Sequence, residues 1–241
     1  MRITKTVESP VFTGYRAARV RSMFNVTEET GSSHTIDVDL PIESEKWQIG
    51  LVVGPSGTGK TTIGRELMGG GLLHEGFDWD PEKPIIEQIG PGKDFGDVTG
   101  ALSAVGLGTV PSWLRPFHVL SMGERFRAEM ARIVIEEPKA IVVDEFTSVV
   151  DRQIAQIGAS AFAKAWRRTK GQIILLSCHY DIIEWLTPDW VLDTKYWRFA
   201  RGCLRRRPDI EIDIYETSSS RAWQFFKPHH YLDLPRSEEH T

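Results

Sequence analysis

Residues 54–61 form a glycine-rich segment with the residue types that bind phosphate. They run Gly-Pro-Ser-Gly-Thr-Gly-Lys-Thr, which fits the pattern G-x-x-x-x-G-K-[ST] between a buried strand and a helix. Glycines let backbone N–H groups turn inward around phosphate oxygens, and the start of the following helix adds partial positive charge. In this pattern Lys60 reaches the β- and γ-phosphates, and the Thr61 hydroxyl binds Mg²⁺. The alternative is a glycine-rich turn that matches by accident. The predicted phosphate-binding residues are Gly54, Pro55, Ser56, Gly57, Thr58, Gly59, Lys60, Thr61 and Thr62.

Two adjacent carboxylates follow a second buried strand. Asp144 and Glu145 come directly after the apolar run Ala140–Val143. An aspartate at such a strand end can hold Mg²⁺, and a second carboxylate can orient a water molecule or accept its proton. Two solvated acids are the alternative interpretation. Because the chain also has a phosphate-binding loop, we predict that Asp144 is a metal ligand and that Glu145 is catalytic.

The segment Leu-Ser-Met-Gly-Glu at 120–124 has two compatible interpretations. Ser121 and Glu124 have the S-x-x-E spacing of a capping box, which predicts that a helix starts here. A capped helix start with a small residue at Gly123 is also suited to bind an anion.

Taken in order, these motifs resemble those of the ABC-type ATPases. The phosphate loop, Leu-Ser-x-Gly-Glu and Asp-Glu are followed by Ser-Val-Val-Asp at 148–151 and by His179, and the resemblance runs from about Ile36 to Asp193. It implies an α/β fold, a P-loop NTPase of ABC type. That fold has a mostly parallel central sheet flanked by helices, an N-terminal antiparallel β subdomain and, in this chain, a shortened helical subdomain. The implied ligands are ATP and Mg²⁺.

The resemblance also implies roles for single residues. Ser121 and Gly123 look like the signature residues that contact the γ-phosphate held by the opposite subunit. Asp151 looks like the last residue of the D-loop, another nucleotide-contacting segment. His179 looks like the switch histidine that senses the γ-phosphate, and it lies 35 residues beyond Asp144. The expected catalytic residues are Lys60, Glu145 and His179.

Two assignments are less direct, and the chain departs from the family at two points. Gln88 is the candidate for the glutamine that helps hold Mg²⁺, and Phe24 is the candidate for the aromatic residue that stacks on adenine. Met122 stands where the family usually has glycine. Ser121 lies 61 positions after Lys60, fewer than in transporter ATPases. The missing part would come from the region that docks membrane partners, so a membrane permease is the less favoured partner.

The C-terminal part of the chain resembles a soluble subgroup of the family. In that subgroup the ATPase is often fused to a GNAT-like acetyltransferase domain, and Trp223–Leu232 resembles the junction. The implied organisation is an ATP-binding domain over residues 1–218 and a junction to a missing acetyltransferase domain over 219–235. Residues 236–241 resemble a translated sequencing adapter, which predicts a non-native tail.

Hydrophobic patterning predicts strands that alternate with helices. The predicted strands are an alternating stretch up to about Val26, then Ile36–Leu40, Trp47–Val53, Ala140–Val143 and Gly171–Ser177. The predicted helices are Thr61–Met68, 98–105, Ser121–Glu137 and 150–169. Buried strands alternating with helices imply a parallel sheet with helices on its faces.

Composition restricts the partners and the compartment. Lys and Arg number 29 and Asp and Glu 33, and the net charge of −4 argues against binding polyanions over the whole surface. A basic stretch at 195–207, which contains Tyr196 and Trp197, is able either to bind nucleic acid or to form a solvated edge hairpin, and we favour the hairpin. Two cysteines and no long apolar run in 241 residues predict a cytoplasmic protein.

We therefore expect an ATPase that closes as a head-to-tail homodimer around two ATP molecules. Its main expected role is that of a soluble engine that regulates a fused or neighbouring acetyltransferase, or that acts with nucleic acid. The alternatives are the ATP-binding subunit of a membrane transporter and a nucleotide-gated binding module with little turnover.

Overall fold

The computed structural model describes residues 1–8, 14–26, 33–67 and 72–202. Within them the strands are β1 (Arg2–Glu8), β2 (Ser33–Asp39), β3 (Ile49–Val53), β4 (Leu73–His74), β5 (Ala140–Val143), β6 (Gln172–Ser177), β7 (Trp190–Asp193) and β8 (Arg198–Arg201). The α-helices are α1 (Tyr15–Phe24), α2 (Lys60–Leu67), α3 (Phe95–Ala104), α4 (Val110–Trp113), α5 (Met122–Glu136), α6 (Arg152–Trp166) and α7 (Ile182–Leu186). The chain divides into two compact units, Met1–Arg206 and Arg207–Thr241, and the described residues all belong to the first. The predicted junction at 219–235 and the predicted tail at 236–241 lie outside the described residues.

A six-stranded sheet in the order β4-β5-β6-β3-β7-β8 organises the first unit. The neighbours from β4 to β7 pair in parallel, and β8 pairs antiparallel with β7. All five residues of β3 are buried, as expected for an apolar run covered on both faces. The prediction of a mostly parallel central sheet flanked by helices is confirmed.

Two hydrophobic cores lie on the opposite faces of this sheet. Alternate residues of β3 separate between them, with Leu51 in the core formed with α3, α5, α6 and α7, and Val52 in the core formed with α2, β1 and β2. This alternation follows from the two-residue period of a strand. The parallel register also brings the carboxyl ends of β3, β5 and β6 to one edge, where the chemistry-bearing segments begin.

β1 and β2 form the separate antiparallel pair that the sequence predicts, with Arg2 opposite Asp39 and Glu8 opposite Ser33. The prediction of strand structure up to Val26 was wrong over Tyr15–Phe24, which forms helix α1. Alanine and arginine are strong helix formers, and Ala17, Ala18 and the arginines of this stretch outweigh a short apolar–polar alternation. No residue of α1 is buried, so no core-facing pattern was there to indicate the helix.

The other predicted helices and strands are present with small shifts at their ends. Helix α3, for example, covers Phe95–Ala104, where the sequence predicts a helix over 98–105. Within the described residues no helix is long and apolar enough to cross a membrane.

Candidate nucleotide-binding and hydrolysis site

The phosphate loop connects β3 to α2 and depends on glycine at three places. Gly57 and Gly59 have φ angles of +79° and +86°, a backbone region in which residues with a Cβ are strained. A Cβ on Gly59 would also lie 2.6 Å from Cδ1 of Ile36, and one on Gly54 would lie 2.1 Å from Oγ1 of Thr194. The loop therefore requires glycine both for its turn and for its close packing.

The loop's own side chains stabilise its shape. The Lys60 ammonium donates to the carbonyl oxygen of Pro55 at 2.8 Å, and the Thr58 hydroxyl donates to the same oxygen at 2.8 Å. The Thr58 and Thr194 hydroxyl oxygens lie 2.6 Å apart. These bonds hold the loop closed around the N-terminus of α2 and keep the positive charge of Lys60 at the loop.

Thr61 and Asp144 meet at the carboxyl edge of the sheet. The Thr61 hydroxyl donates to Oδ2 of Asp144 at 2.7 Å, and the backbone N–H of Glu145 donates to the other oxygen, Oδ1, at 2.8 Å. Both residues line a cleft of about 350 Å³. The residues lining this phosphate cleft are Ser56, Gly57, Gly59, Lys60, Thr61, Thr62, Asp144, Glu145, Ser148, Ser177 and Cys178.

Glu145 lies on a strained turn at the mouth of this phosphate cleft. It is exposed and has a φ of +49°, and Thr147 has a φ of +68°. The turn is held by a 2.8 Å bond from the Phe146 N–H to the carbonyl oxygen of Leu176, and Phe146 is buried. Such backbone conformations cost about 1–3 kcal/mol each and are concentrated at functional sites. Packing of Phe146 thus holds the turn that places Glu145 among the residues lining the cleft, together with Lys60 and Thr61.

The oxygen ligands at this edge suit Mg²⁺, which prefers carboxylate and hydroxyl oxygens. Thr61 and Asp144 fit that preference. The structure does not bring Gln88 to them, because Gln88 does not line the phosphate cleft. Its amide accepts from the N–H of Asp80 at 2.7 Å and donates to the carbonyl oxygens of Asp80 and Lys83 at 3.1 and 2.8 Å. Gln88 stabilises a local turn in this structure.

Sequence reasoning missed Glu75. Strand β4 pairs with β5 so that His74 lies opposite Val143, and Glu75 therefore follows at the level of Asp144. Glu75 lines a second cavity of about 490 Å³ together with Thr61 and Asp144. The two-residue strand β4 lies in a glycine-rich stretch with no readable period, so only the strand pairing reveals this position.

Ser121 and Glu124 form the predicted capping box at the start of α5. The N–H of Ser121 donates to Oε2 of Glu124 at 2.9 Å, and the N–H of Glu124 donates back to Oγ of Ser121 at 3.4 Å. Hydrogen bonds from the Ser112 hydroxyl, at 2.5 Å, and from Ser121 lower the pKa of Glu124. Met122 is 49% exposed at this helix start, whereas Gly123 is buried against Ile154. The sequence motif is thus an ordered helix start that presents Ser121 and Met122 to solvent.

Asp151 and His179 begin two further segments at the same edge. Asp151 caps α6 by accepting from the N–H groups of Gln153 and Ile154, each at 3.0 Å. His179 is half-buried, and its backbone N–H donates to Oγ of Ser177 at 3.2 Å. Ser121, Gly123, Asp151 and His179 are not among the residues that line the phosphate cleft of this chain. Phe24 is 70% exposed on α1 and does not line it either.

The basic turn between β7 and β8 has partners within the chain. Lys195 and Arg198 lie 5.0 and 5.9 Å from the ring centroid of Tyr196. The Arg201 guanidinium donates to the carbonyl oxygens of Pro41 and Ile42 at 2.6 and 2.8 Å. Arg201 therefore joins β8 to the 41–42 segment. Residues 203–207 of the basic stretch lie outside the described residues, so the choice between a nucleic-acid contact and an edge hairpin stays a prediction.

No family model matches the chain. The zinc import ATP-binding protein ZnuC of Pseudomonas aeruginosa is 31% identical over 141 residues, which cover 50% of this chain and 51% of that protein. The ribosome protection protein VmlR of Bacillus subtilis is 28% identical over 119 residues, 42% of this chain and 21% of that protein. The lantibiotic transport ATP-binding protein SrtF of Streptococcus pyogenes is 24% identical over 178 residues, 61% and 72%. The chain spans about half the length of ZnuC.

Solved structures show the same fold. The ATP-binding cassette MJ0796, in a dimeric post-hydrolysis state bound to ADP and Pi, matches with a TM-score of 0.56 at 13% identity. The match covers 86% of this chain and 100% of that one. The chain therefore has the α/β fold of the ABC-type ATPase nucleotide-binding domains. The three relatives are named for transport and for ribosome protection, and none of their names supports the acetyltransferase-linked subgroup.

Proposed function

We propose that this domain binds Mg²⁺ and ATP and hydrolyses the γ-phosphate. The observation that carries the proposal is the 2.7 Å hydrogen bond between Thr61 and Asp144, which joins the phosphate loop to the two carboxylates in one cleft. A chance match to the loop pattern would give no reason for a residue 83 positions away to meet the last residue of that pattern.

Each residue's proposed role follows from its chemistry and position. The glycine-rich backbone and Lys60 bind the phosphates, and catalysis is mainly positioning and charge neutralisation. Thr61 and Asp144 would hold Mg²⁺, which would supply charge that stabilises the phosphate oxygens. Glu145, which is exposed and lines the same cleft as Lys60, accepts the proton of the attacking water. His179 directly follows Ser177 and Cys178, which line the phosphate cleft. A local movement of this segment would bring its side chain to the γ-phosphate.

We further propose an ATP-dependent head-to-tail homodimer. Ser121 and Gly123 lie outside the phosphate cleft of their own chain, and the capped start of α5 is suited to a negative ligand. A two-fold arrangement would place the α5 start of each subunit at the phosphate cleft of its partner, so that ATP joins the subunits. The dimeric form of MJ0796 supports this assembly.

Membrane transport is the best supported biological role for the proposed ATPase. Two of the three relatives are named as transport ATP-binding proteins, for zinc import and for a lantibiotic. We therefore propose the ATP-binding subunit of a transporter, acting at the cytoplasmic side of a membrane with a permease partner.

The second candidate is a soluble engine without a permease. The 61-position separation of Lys60 from Ser121 favours it, since the region that would dock a membrane partner is short. VmlR, a ribosome protection protein, is a relative named for a role other than transport. An acetyltransferase or a nucleic acid is the partner that this candidate requires.

Release of phosphate from ATP by the purified chain tests the proposed function. We expect Mg²⁺-dependent hydrolysis that Lys60→Ala abolishes through loss of binding and that Glu145→Gln abolishes with binding retained. ATP binding without phosphate release by the wild-type chain would instead indicate the binding module with little turnover. If the wild-type chain neither binds ATP nor releases phosphate from it, the proposal is contradicted.

The two uses are distinguished by what stimulates hydrolysis. Permease genes beside this gene, and stimulation by their products in lipid vesicles, would support transport. Stimulation by RNA or by ribosomes, in vesicle-free solution, would support the soluble engine.

A further inference from the structure

The first turn of α6 is joined to the segment that carries His179. The Arg152 guanidinium donates from Nε to Oδ2 of Asp181 at 3.0 Å, and its Nη2 forms a second, short hydrogen bond to Oδ1. The same guanidinium lies 4.9 Å from the ring centroid of Trp185 on α7. A bidentate pair with an aromatic contact fixes the relative orientation of its partners more tightly than a single bond does.

Asp181 and Ser177 anchor the two sides of the histidine. The hydroxyl oxygen of Ser177 accepts a hydrogen bond from the backbone N–H of His179, and Asp181 lies two positions after His179. Hydrogen bonding to Arg152 lowers the pKa of Asp181, so the carboxylate is charged at neutral pH. The backbone of His179 is therefore held between a buried strand end and an ion pair to a different helix.

The same first turn of α6 also contacts α5, the helix whose start carries the signature residues Ser121 and Gly123. Ile154 packs on Gly123 so closely that a Cβ there would lie 2.9 Å from Cδ1 of Ile154. One turn of helix thus contacts Gly123 on α5 through Ile154 and holds the His179 segment through Arg152. Its N-cap is Asp151.

We propose that Arg152 and Asp181 are positioning residues that hold His179 in register with the signature segment. The proposal rests on the proposed function, in which His179 serves the nucleotide of its own subunit and Gly123 serves that of the partner. When the signature segment moves at the partner's nucleotide, α6 passes that movement to His179, which serves the nucleotide of its own subunit. The ion pair therefore couples the two nucleotide sites of the dimer.

The exposed thiol of Cys178, next to His179, reports the position of this segment without any nucleotide. In a Cys203→Ser background Cys178 is the single cysteine, and its rate of modification by N-ethylmaleimide is measured. We expect Arg152→Ala and Asp181→Asn each to raise the rate about three- to fivefold, the size expected when a partly exposed bidentate pair is lost.

The two variants together separate position from charge. A purely electrostatic effect would change the modification rate in opposite directions, because a positive charge near a thiol favours the reactive thiolate and a negative charge disfavours it. A positional role predicts faster modification in both variants, and opposite changes would overturn the proposal. Arg2→Ala is the matched control, since Arg2 forms an equally bidentate pair with Asp37, at 3.0 and 2.6 Å, in the separate β1–β2 sheet.

Kinetics test the link to catalysis. We expect Arg152→Ala to lower kcat about tenfold with little change in KM for ATP, and the exchanged pair Arg152→Asp with Asp181→Arg to recover part of it. Unchanged kcat in an active enzyme would overturn the proposal even if the thiol rate changed. If the wild-type chain does not hydrolyse ATP, the proposed function fails, whereas the thiol rates still decide whether the pair holds the His179 segment.

Discussion

The Thr61 hydroxyl and the Asp144 carboxylate are joined by a 2.7 Å hydrogen bond although 83 positions separate them in the chain. Thr61 is in the first turn of α2, Asp144 directly follows β5, and β6 lies between β5 and β3 in the sheet. The fold therefore brings the two proposed metal ligands into direct contact.

Removal of the Thr61 hydroxyl tests the metal site. Thr61→Val keeps the side-chain shape, whereas Thr61→Ser keeps the hydroxyl and is the matched control. We expect the Mg²⁺ concentration for half-maximal hydrolysis to rise at least about tenfold in Thr61→Val, since losses around metal sites are about 10- to 100-fold. It should change little in Thr61→Ser. Equal Mg²⁺ requirements in both variants would exclude Thr61 as a ligand.

Glu145→Gln should trap the ATP-bound dimer. The amide cannot accept a proton from water, yet it leaves the phosphate loop and the Thr61–Asp144 contact in place. Gel filtration with Mg²⁺ and ATP should show a dimer for this variant and a monomer when Lys60→Ala is added to it. Monomers in both samples would contradict the head-to-tail assembly.

Gly123→Ala tests the close packing of α5 on α6. The added Cβ would lie 2.9 Å from Cδ1 of Ile154, and overpacking of this kind costs about 1–3 kcal/mol in the free energy of unfolding. We expect a value near the low end in urea denaturation, because Cδ1 is the end of a flexible side chain. Ile154→Val removes that atom and should recover at least about 0.5 kcal/mol as a non-additive term in the double variant.

Gly100→Ala is the control for that experiment. Gly100 is also within a helix, α3, but a Cβ there would meet nothing within 4 Å. We expect it to stabilise the chain by about 0.5–1 kcal/mol through helix propensity alone. Equal effects of the two substitutions would show that the contact with Ile154 carries no cost.

The capping box predicts a pH dependence. Hydrogen bonds from Ser112 and Ser121 lower the pKa of Glu124 below its value in the unfolded chain. The stabilisation is therefore fully present above the unfolded-state pKa and is lost as the pH falls through the folded-state pKa. Ser112→Ala should reduce the free energy of unfolding at neutral pH, and its difference from wild type should shrink on acidification.

Ser44→Ala is the control for the pH measurement. The Ser44 hydroxyl donates to the carbonyl oxygen of Pro41 at 2.9 Å and not to a carboxylate. Its difference from wild type in urea denaturation should stay constant from about pH 7 to about pH 4. A constant difference for Ser112→Ala as well would show that Glu124 is not the group that titrates.

Local motifs explain why much of the site was predictable. The phosphate loop, the Asp144–Glu145 pair and the capping box are contiguous segments whose function is set by residue type at short spacing. The buried strands were predictable because a strand covered on both faces must be continuously apolar. Gln88 was assigned without such a pattern, and in the structure its amide is bonded to the 80–83 turn.

The amino-acid sequence alone determined the residue types at the phosphate cleft and the order of strands and helices, because backbone conformation and burial impose local patterns. Only the tertiary structure decided which of these residues meet. Parallel strand pairing brings Asp144 to Thr61 and Glu75 to the level of Asp144, and packing of α6 joins Arg152 to Asp181. Contacts of this kind depend on register and on side-chain packing between distant segments, and no periodicity in a single segment encodes them.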